Sequence, residues 1–261
     1  MSGVLSTVDP ARFCGPLGAL RIPPKIVHVW SFFLEASTAC FELCAYVLSR
    51  AERARANRFV DARGRNDFII AHGVLRMLLA RYTQLPASTL VFSSGAHGKP
   101  ALATASDNGS VISFNMSHSH GRALIAVSDG REVGIDLEQV NPDVKALAVA
   151  RRYFCDAERT AIESAAPAVQ AQSFFRYWVA KEAVLKGQGI GLKFPIDKFE
   201  IQFDARCRYA QVRTLKDSRL ADDWRIRMLS VHADWIGAVA ARGDQWNLVL
   251  QSLSAPRASN A

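Results

Sequence analysis

Residues 174–192, FFRYWVAKEAVLKGQGIGL, constrain this chain more tightly than any other stretch. Apolar and aromatic residues recur there at helical spacing, and Gly187, Gly189 and Gly191 follow, so the segment reads as an amphipathic helix closed by glycines. Trp178, Glu182 and Lys186 come in steps of four and share one stripe of that helix. An ordinary i,i+4 ion pair, worth roughly 0.2–0.5 kcal/mol, accounts for Glu182 and Lys186, and Gly187 suits a C′ cap. A carboxylate and an ammonium one turn apart, with glycines just beyond, also suit a phosphate and cation site.

Two further stretches bear on that choice. In Val133-Gly134-Ile135-Asp136-Leu137-Glu138 the apolar and acidic residues alternate with period two, as in a strand, so both carboxylates point to one face. A solvated edge strand is the plain explanation. The chemical one is a hard-cation site, because magnesium takes oxygen ligands, commonly one or two carboxylates with phosphate oxygens and water; Glu182 then supplies a third carboxylate. In Phe114-Asn115-Met116-Ser117-His118-Ser119-His120-Gly121 a strand runs into a polar turn, and the apolar run 123–127 returns from it. Asn, Ser and His are phosphate-contacting groups. A Ser–His hydrolase is disfavoured: Ser117 and His118 are adjacent and diverge on a strand, and no G-x-S-x-G elbow is present. His118 and His120 lack further ligands at zinc-like spacing. Upstream, Gly98-Lys99-Pro100 places a lysine in a constrained turn.

In order and separation, Gly98-Lys99-Pro100, 114–119, Gly134-Ile135-Asp136-Leu137-Glu138 and Trp178-x-x-Lys181-Glu182-Ala183-x-x-Lys186 resemble the 4′-phosphopantetheinyl transferases of the long, two-lobed type. A weaker resemblance extends over about 26–242. It implies an α+β fold of two similar α/β lobes about a pseudo-two-fold, with the active site between them. It implies transfer of the phosphopantetheine arm of coenzyme A to a serine of an acyl or peptidyl carrier protein, with release of 3′,5′-ADP. Asp136, Glu138 and Glu182 would hold Mg²⁺, Glu182 would be the general base, and Lys186 would neutralise the pyrophosphate. Arg55, Lys99, Asn115, Ser117, His118, Asp136 and Lys186 would contact coenzyme A, with Arg55 on its 3′-phosphate. Glu52 stands where some relatives have a second lysine, with Arg53 as a possible substitute in a phosphate clamp; Arg76 reads as basic lining or helix surface. Trp178, Trp30, Phe32 and Phe33 read as packing residues, and His28, His72 and His97 receive no role.

Other features agree with this resemblance without having suggested it. The 261 residues, 49% of them hydrophobic, suffice for one large or two small domains. The formal charge of +8 points to anionic partners; coenzyme A and an acidic carrier protein meet that need, and no nucleic-acid module motif is found. No apolar run is long enough for a membrane span and no signal-peptide pattern opens the sequence. Five cysteines without C-x-x-C spacing fit reduced thiols of a cytoplasmic protein, expected to be a monomer. A different Mg-dependent enzyme acting on a nucleotide pyrophosphate, or a non-catalytic binding protein, remains the alternative. Residues 123–139 and 235–251 look like two related hairpins. Ser49-Arg50-Ala51-Glu52 is a capping box opening an Arg-rich helix, and Cys155-Asp156-Ala157-Glu158 is a degraded one. The expected division is a tail 1–20, an N-terminal lobe 21–129, a C-terminal lobe 130–251 carrying the cation site, and a tail 252–261.

Overall fold

A computed structural model describes residues 7–14, 18–95, 98–103, 111–191, 194–215, 223–232 and 234–251. The expected tail 252–261, parts of the tail 1–20, and His97 lie outside them. In chain order the elements are β1 (Thr7–Val8), β2 (Ile26–Phe33), α1 (Thr38–Val47), α2 (Arg50–Ala56), α3 (Ala62–Thr83), β3 (Phe92–Ser94), β4 (Pro100–Leu102), β5 (Ile112–Ser119), β6 (Arg122–Asp129), β7 (Val133–Gln139), α4 (Ala146–Tyr153), α5 (Asp156–Glu163), α6 (Pro167–Gln188), β8 (Phe199–Phe203), β9 (Tyr209–Thr214), β10 (Trp224–His232), β11 (Trp235–Arg242) and β12 (Asn247–Gln251). The fold is mixed α+β, built on two large sheets. One runs β1-β2-β6-β5, with β12 also paired to β2; the other runs β7-β11-β10-β9-β8.

The layers follow from strand alternation. Trp30, Phe32, Ile125 and Val127 face α1 and α3 in one core, while Val27, Val29, Leu124 and Ala126, on the opposite face, pack against Val133, Ile135, Leu137, Val239 and Ala241 of the second sheet. The far face of that sheet, with Ile236, Ala238 and Ala240, packs on α6 through Val179, Ala180, Ala183 and Val184. Both sheets are therefore covered on both faces, which explains the unbroken apolar runs in β6 and β11.

The expected hairpins 123–139 and 235–251 are corrected. Strand β6 already has β2 on one edge and β5 on the other, so β7 leaves the sheet at Gly130 (φ 65°) and pairs with β11. Strand β11 is likewise filled by β10 and β7, so β12 crosses back to lie parallel to β2, in the sheet of the N-terminal half. Part of the expected N-terminal tail is docked too. Strand β1 pairs with Ser31 and Phe32, and Phe13 is buried edge-on to Trp30 and Phe32. Phe33, expected in the core, falls on the opposite side of β2 from Trp30 and Phe32 and lies exposed beneath the Arg122 guanidinium.

The long helix begins earlier than its apolar pattern suggests, with Pro167 in its first turn, where a missing N–H costs nothing. It ends at Gly189, φ 70°, rather than at Gly187. Gly187 is inside the helix because Trp224 and Gly134 press against it; a Cβ there would lie 2.6 Å from the Trp224 ring.

Candidate active site

The site lies where the free edge of β7 meets the edge strand β5. The two strands are not joined by a backbone ladder; side chains of β5 bridge them. Asn115, Ser117 and Ser119 sit two residues apart, so all three reach the same way. The Asn115 Oδ1 accepts from Ile135 N at 2.9 Å, Ser117 Oγ donates to Asp136 Oδ1 at 2.9 Å, and Ser119 Oγ donates to Glu138 Oε2 at 3.0 Å. A tight turn with positive φ at His120 and Gly121 returns the chain into β6, as the polar turn in the sequence suggested.

Helix α6 closes the site from above. Its contact with β7 is so close that a Cβ on Gly134 would lie 2.0 Å from Ala183 O. That approach brings Lys186 Nζ to 2.6 Å from Asp136 Oδ1 and 2.9 Å from Ser117 Oγ. Lys186 thus pairs across to the strand. Glu182, one turn earlier, is buried beside the same carboxylate. Burial, then the charges of Asp136 and Glu138, push the Glu182 carboxyl up to about 7 against the opposing pull of Lys186. Burial and Asp136 likewise raise Glu138, opposed by Ser119, Lys186 and His120. Trp178 packs on Phe154 and Phe174, the packing role expected of it.

Three carboxylates facing one ammonium carry an excess of negative charge, and the buried Asp136 Oδ2 has no hydrogen-bond partner among the described residues. Both observations fit a hard dication, which neutralises such a cluster and takes oxygen donors. The carboxylates are gathered without being closed on one another. Among the described residues, only Cys14, Cys40 and Cys44 bring three potential ligand atoms within 4.8 Å of each other.

Other sequence candidates are placed as follows. His118 points away from Ser117 and toward solvent; the protein around it lowers its pKa, and the charges of His72, Lys186 and Arg55 lower it further against Asp67. Arg55 is exposed, with its guanidinium 5.3 Å from the Phe68 ring centre, and its charge and that of Lys186 both reach His118. Lys99 donates to Val133 O at 3.0 Å and to Gly187 O, tying the β3–β4 turn to the start of β7 and the end of α6. Asn115, read as a phosphate contact, has its oxygen on Ile135 N.

Arg76 is neither lining nor helix surface. It is buried and donates to Glu52 Oε2 at 2.7 Å and to Ala87 O and Leu90 O. Glu52 also closes the capping box with Ser49, and these donors with His72 hold its carboxyl down at about 2 although burial opposes them. Arg53 donates to Leu48 O and Tyr46 O, at the end of α1. The sequence motifs alone assign no role to Ser119 or Gly134. The period-two row from Asn115 was the signal for the first, and a Gly between two β-branched residues for the second.

Two family descriptions divide the chain between them. Residues 34–130 match the N-terminal part of a 4′-phosphopantetheinyl transferase, and residues 132–240 match the 4′-phosphopantetheinyl transferase superfamily. The 4′-phosphopantetheinyl transferase HetI of Nostoc sp. is 32% identical over 84% of this chain and 89% of its own. The chain belongs to the 4′-phosphopantetheinyl transferase family. It is accordingly a transferase that moves phosphopantetheine to carrier proteins. The 4′-phosphopantetheinyl transferase Sfp of Bacillus subtilis is 30% identical over 59% of this chain and 66% of its own. The human L-aminoadipate-semialdehyde dehydrogenase-phosphopantetheinyl transferase is 27% identical over 90% and 79%. The two matched stretches of this transferase abut at the crossover from β6 to β7, and the acid cluster lies wholly in the second.

Proposed function

We propose that this transferase carries its reaction out at the β5–β7 seam, moving the phosphopantetheine arm of coenzyme A to a serine hydroxyl of an acyl or peptidyl carrier protein and releasing 3′,5′-ADP. The observation that carries the assignment is the convergence of Asp136, Glu138 and Glu182 around one ammonium, with Asp136 Oδ2 unpartnered among the described residues. Those three carboxylates would hold Mg²⁺, whose chemistry when bound is to offset charge on the pyrophosphate. Lys186 Nζ adds a fixed positive charge beside the same phosphates. Ser117 and Ser119 hold the Asp136 and Glu138 carboxylates in place by donating to one oxygen of each. Glu182, whose carboxyl is pushed up to about 7, takes the proton of the attacking serine hydroxyl at a carboxylate oxygen. His118 and Arg55 face the nucleotide end, Arg55 with its planar donor fork on the 3′-phosphate. Lys99 and Asn115 act on this site by holding its walls, through Val133 O, Gly187 O and Ile135 N.

The wider reading is of two lobes, 21–129 and 130–251, related by a pseudo-two-fold with coenzyme A between them. The paired crossovers at β6–β7 and β11–β12 support it, with the last strand of the second lobe lent to the first. A monomer in the cytoplasm completes it; the free cysteines suit a reducing compartment. No helix among the described residues is long and apolar enough to cross a membrane.

The test is incubation of the protein with several apo-carriers, coenzyme A and Mg²⁺, read by intact mass. A phosphopantetheine adduct on the carrier is the expected product; free phosphopantetheine without an adduct would make the protein a hydrolase. Asp136→Ala should abolish the adduct and leave thermal unfolding cooperative. Turnover near the parent rate at low Mg²⁺ would remove the cation from Asp136.

A further inference from the structure

Three thiols converge on the helix-covered side of the first sheet. The Sγ atoms of Cys14, Cys40 and Cys44 all lie within 4.8 Å of one another. Cys40 and Cys44 belong to the core that contains Trp30 and Phe32, and Cys14 packs at its edge. The first two are buried, and Cys14 keeps partial access to solvent.

The backbone fixes each of the three. Cys40 and Cys44 are four residues apart on α1, so their side chains share one face. Ser37 caps that helix, its Oγ accepting from Cys40 N at 3.4 Å. Helix α3 presses on α1 at Cys44, where a Cβ on Gly73 would lie 2.5 Å from the Cys44 Cα. Cys14 arrives from a distant segment. It ends a single 3-10 turn, Pro10–Phe13, that Asp9 caps by accepting from Ala11 N at 2.8 Å. Phe13 anchors this turn against Trp30 and Phe32, and Cys14 Sγ reaches back to α1, 4.0 Å from Cys40 O.

A buried thiol packs as a small apolar group, and one or two here would need no further account. Three, brought from two segments to a common centre, are the donor set of a thiophilic cation. Sulfurs held tetrahedrally at a Zn–S distance of about 2.3 Å stand roughly 3.8 Å apart, so these three need to draw in by no more than about 1 Å. A disulfide would use two of them and leave the third. Charge selects the valence: three thiolates around a monovalent ion leave two negative charges uncompensated in an apolar pocket, and a divalent ion leaves one.

We propose that Cys14, Cys40 and Cys44 bind one soft divalent cation, of the Zn²⁺ and Cd²⁺ class, which clasps residues 7–14 to α1. Each thiol releases its proton to solvent as its metal–sulfur bond forms, and water fills the fourth position on the accessible side of Cys14. The site is separate from the carboxylates of β7 and α6, whose oxygen donors suit a harder ion.

The test uses the full chain, reduced with a phosphine and freed of metal, and titrated with Cd²⁺ while the sulfur-to-metal charge-transfer absorption is followed in the ultraviolet. The band should saturate at one Cd²⁺ per chain, bleach as Zn²⁺ displaces Cd²⁺, and survive a large excess of Mg²⁺. One equivalent of Zn²⁺ should shield three of the five thiols from a disulfide reagent and raise Tm by about 5 °C or more. Cys14→Ala, at the accessible member of the cluster, should weaken Cd²⁺ binding about 100-fold or more and abolish the rise in Tm. Cys40→Ala should act alike, and Cys207→Ala should change neither readout. No band, or a band that both Cys14→Ala and Cys40→Ala retain, overturns the site. A band lost on adding Mg²⁺ places the cation elsewhere and overturns it too. Stoichiometric binding without a rise in Tm overturns the clasp.

Discussion

Gly134→Ala tests how the site is held together. In the parent, α6 lies on β7 with no room for a side chain: a Cβ at residue 134 would be 2.0 Å from Ala183 O and 2.3 Å from Gly187 N, both backbone atoms that cannot rotate away. To restore an ordinary contact of 3.4 Å, helix and strand must part by about 1.4 Å. The same movement stretches the 2.6 Å Lys186–Asp136 pair toward roughly 4 Å, out of hydrogen-bond range. Overpacking of this kind costs about 1–3 kcal/mol, and rigid backbone on both sides puts it at the upper end. A loss of about 3 kcal/mol lowers Tm by roughly 6–12 °C in a chain of this size, and a displacement of about 1 Å at reacting groups costs about 100-fold in rate. Thermal unfolding and a carrier-loading time course read the two effects, with Gly18→Ala, whose Cβ meets nothing within 4 Å, as the neutral control. A Gly134→Ala protein with Tm within about 2 °C of the parent and near-parental loading would refute the claim that this contact sets the site.

Other predictions follow from single contacts. Lys181→Met leaves Glu158 buried without its partner at 3.0 Å and should cost about 3–5 kcal/mol, most of it recovered by adding Glu158→Leu; a double variant as unstable as the single would show that packing rather than charge was lost. Glu52, held at about 2 in the folded protein against about 4.3 unfolded, contributes stability present above the unfolded value and lost as pH falls through the folded one. Denaturant melts between about pH 5 and 2 should therefore show up to about 3 kcal/mol of acid sensitivity that Glu52→Gln lacks, and parallel curves would reject the contribution. Arg55→Ala should weaken coenzyme A by about 1.5–3 kcal/mol in calorimetry and leave 3′-dephospho-coenzyme A almost untouched; equal losses would take Arg55 off the 3′-phosphate.

The parts of this molecule that could be read from its sequence are those set by local periodicity. Asp136 and Glu138 share a face because strand side chains repeat every two residues, and Glu182 and Lys186 share one because helical side chains repeat every three to four. Burial of charge was not readable. Arg76 looks like helix surface until Glu52 and two carbonyls are brought to it, and Lys181, beside Glu182 in the sequence, is met in the core by Glu158 and the carbonyls of Ile196 and Phe199. Strand partners were not readable either, because period two reports which faces are covered and says nothing of which edge is free. That limit bears directly on the chemistry. Had 123–139 closed as a hairpin, the edge of β7 would have been paired to β6, leaving no approach for Asn115, Ser117 and Ser119. Because β2 and β5 occupy both edges of β6, β7 is driven into the other sheet with one edge open, and that open edge is where the hydroxyls of β5 and the ammonium of α6 reach the carboxylates. The misread hairpin and the existence of the site thus have one cause, the filling of β6 by its neighbours.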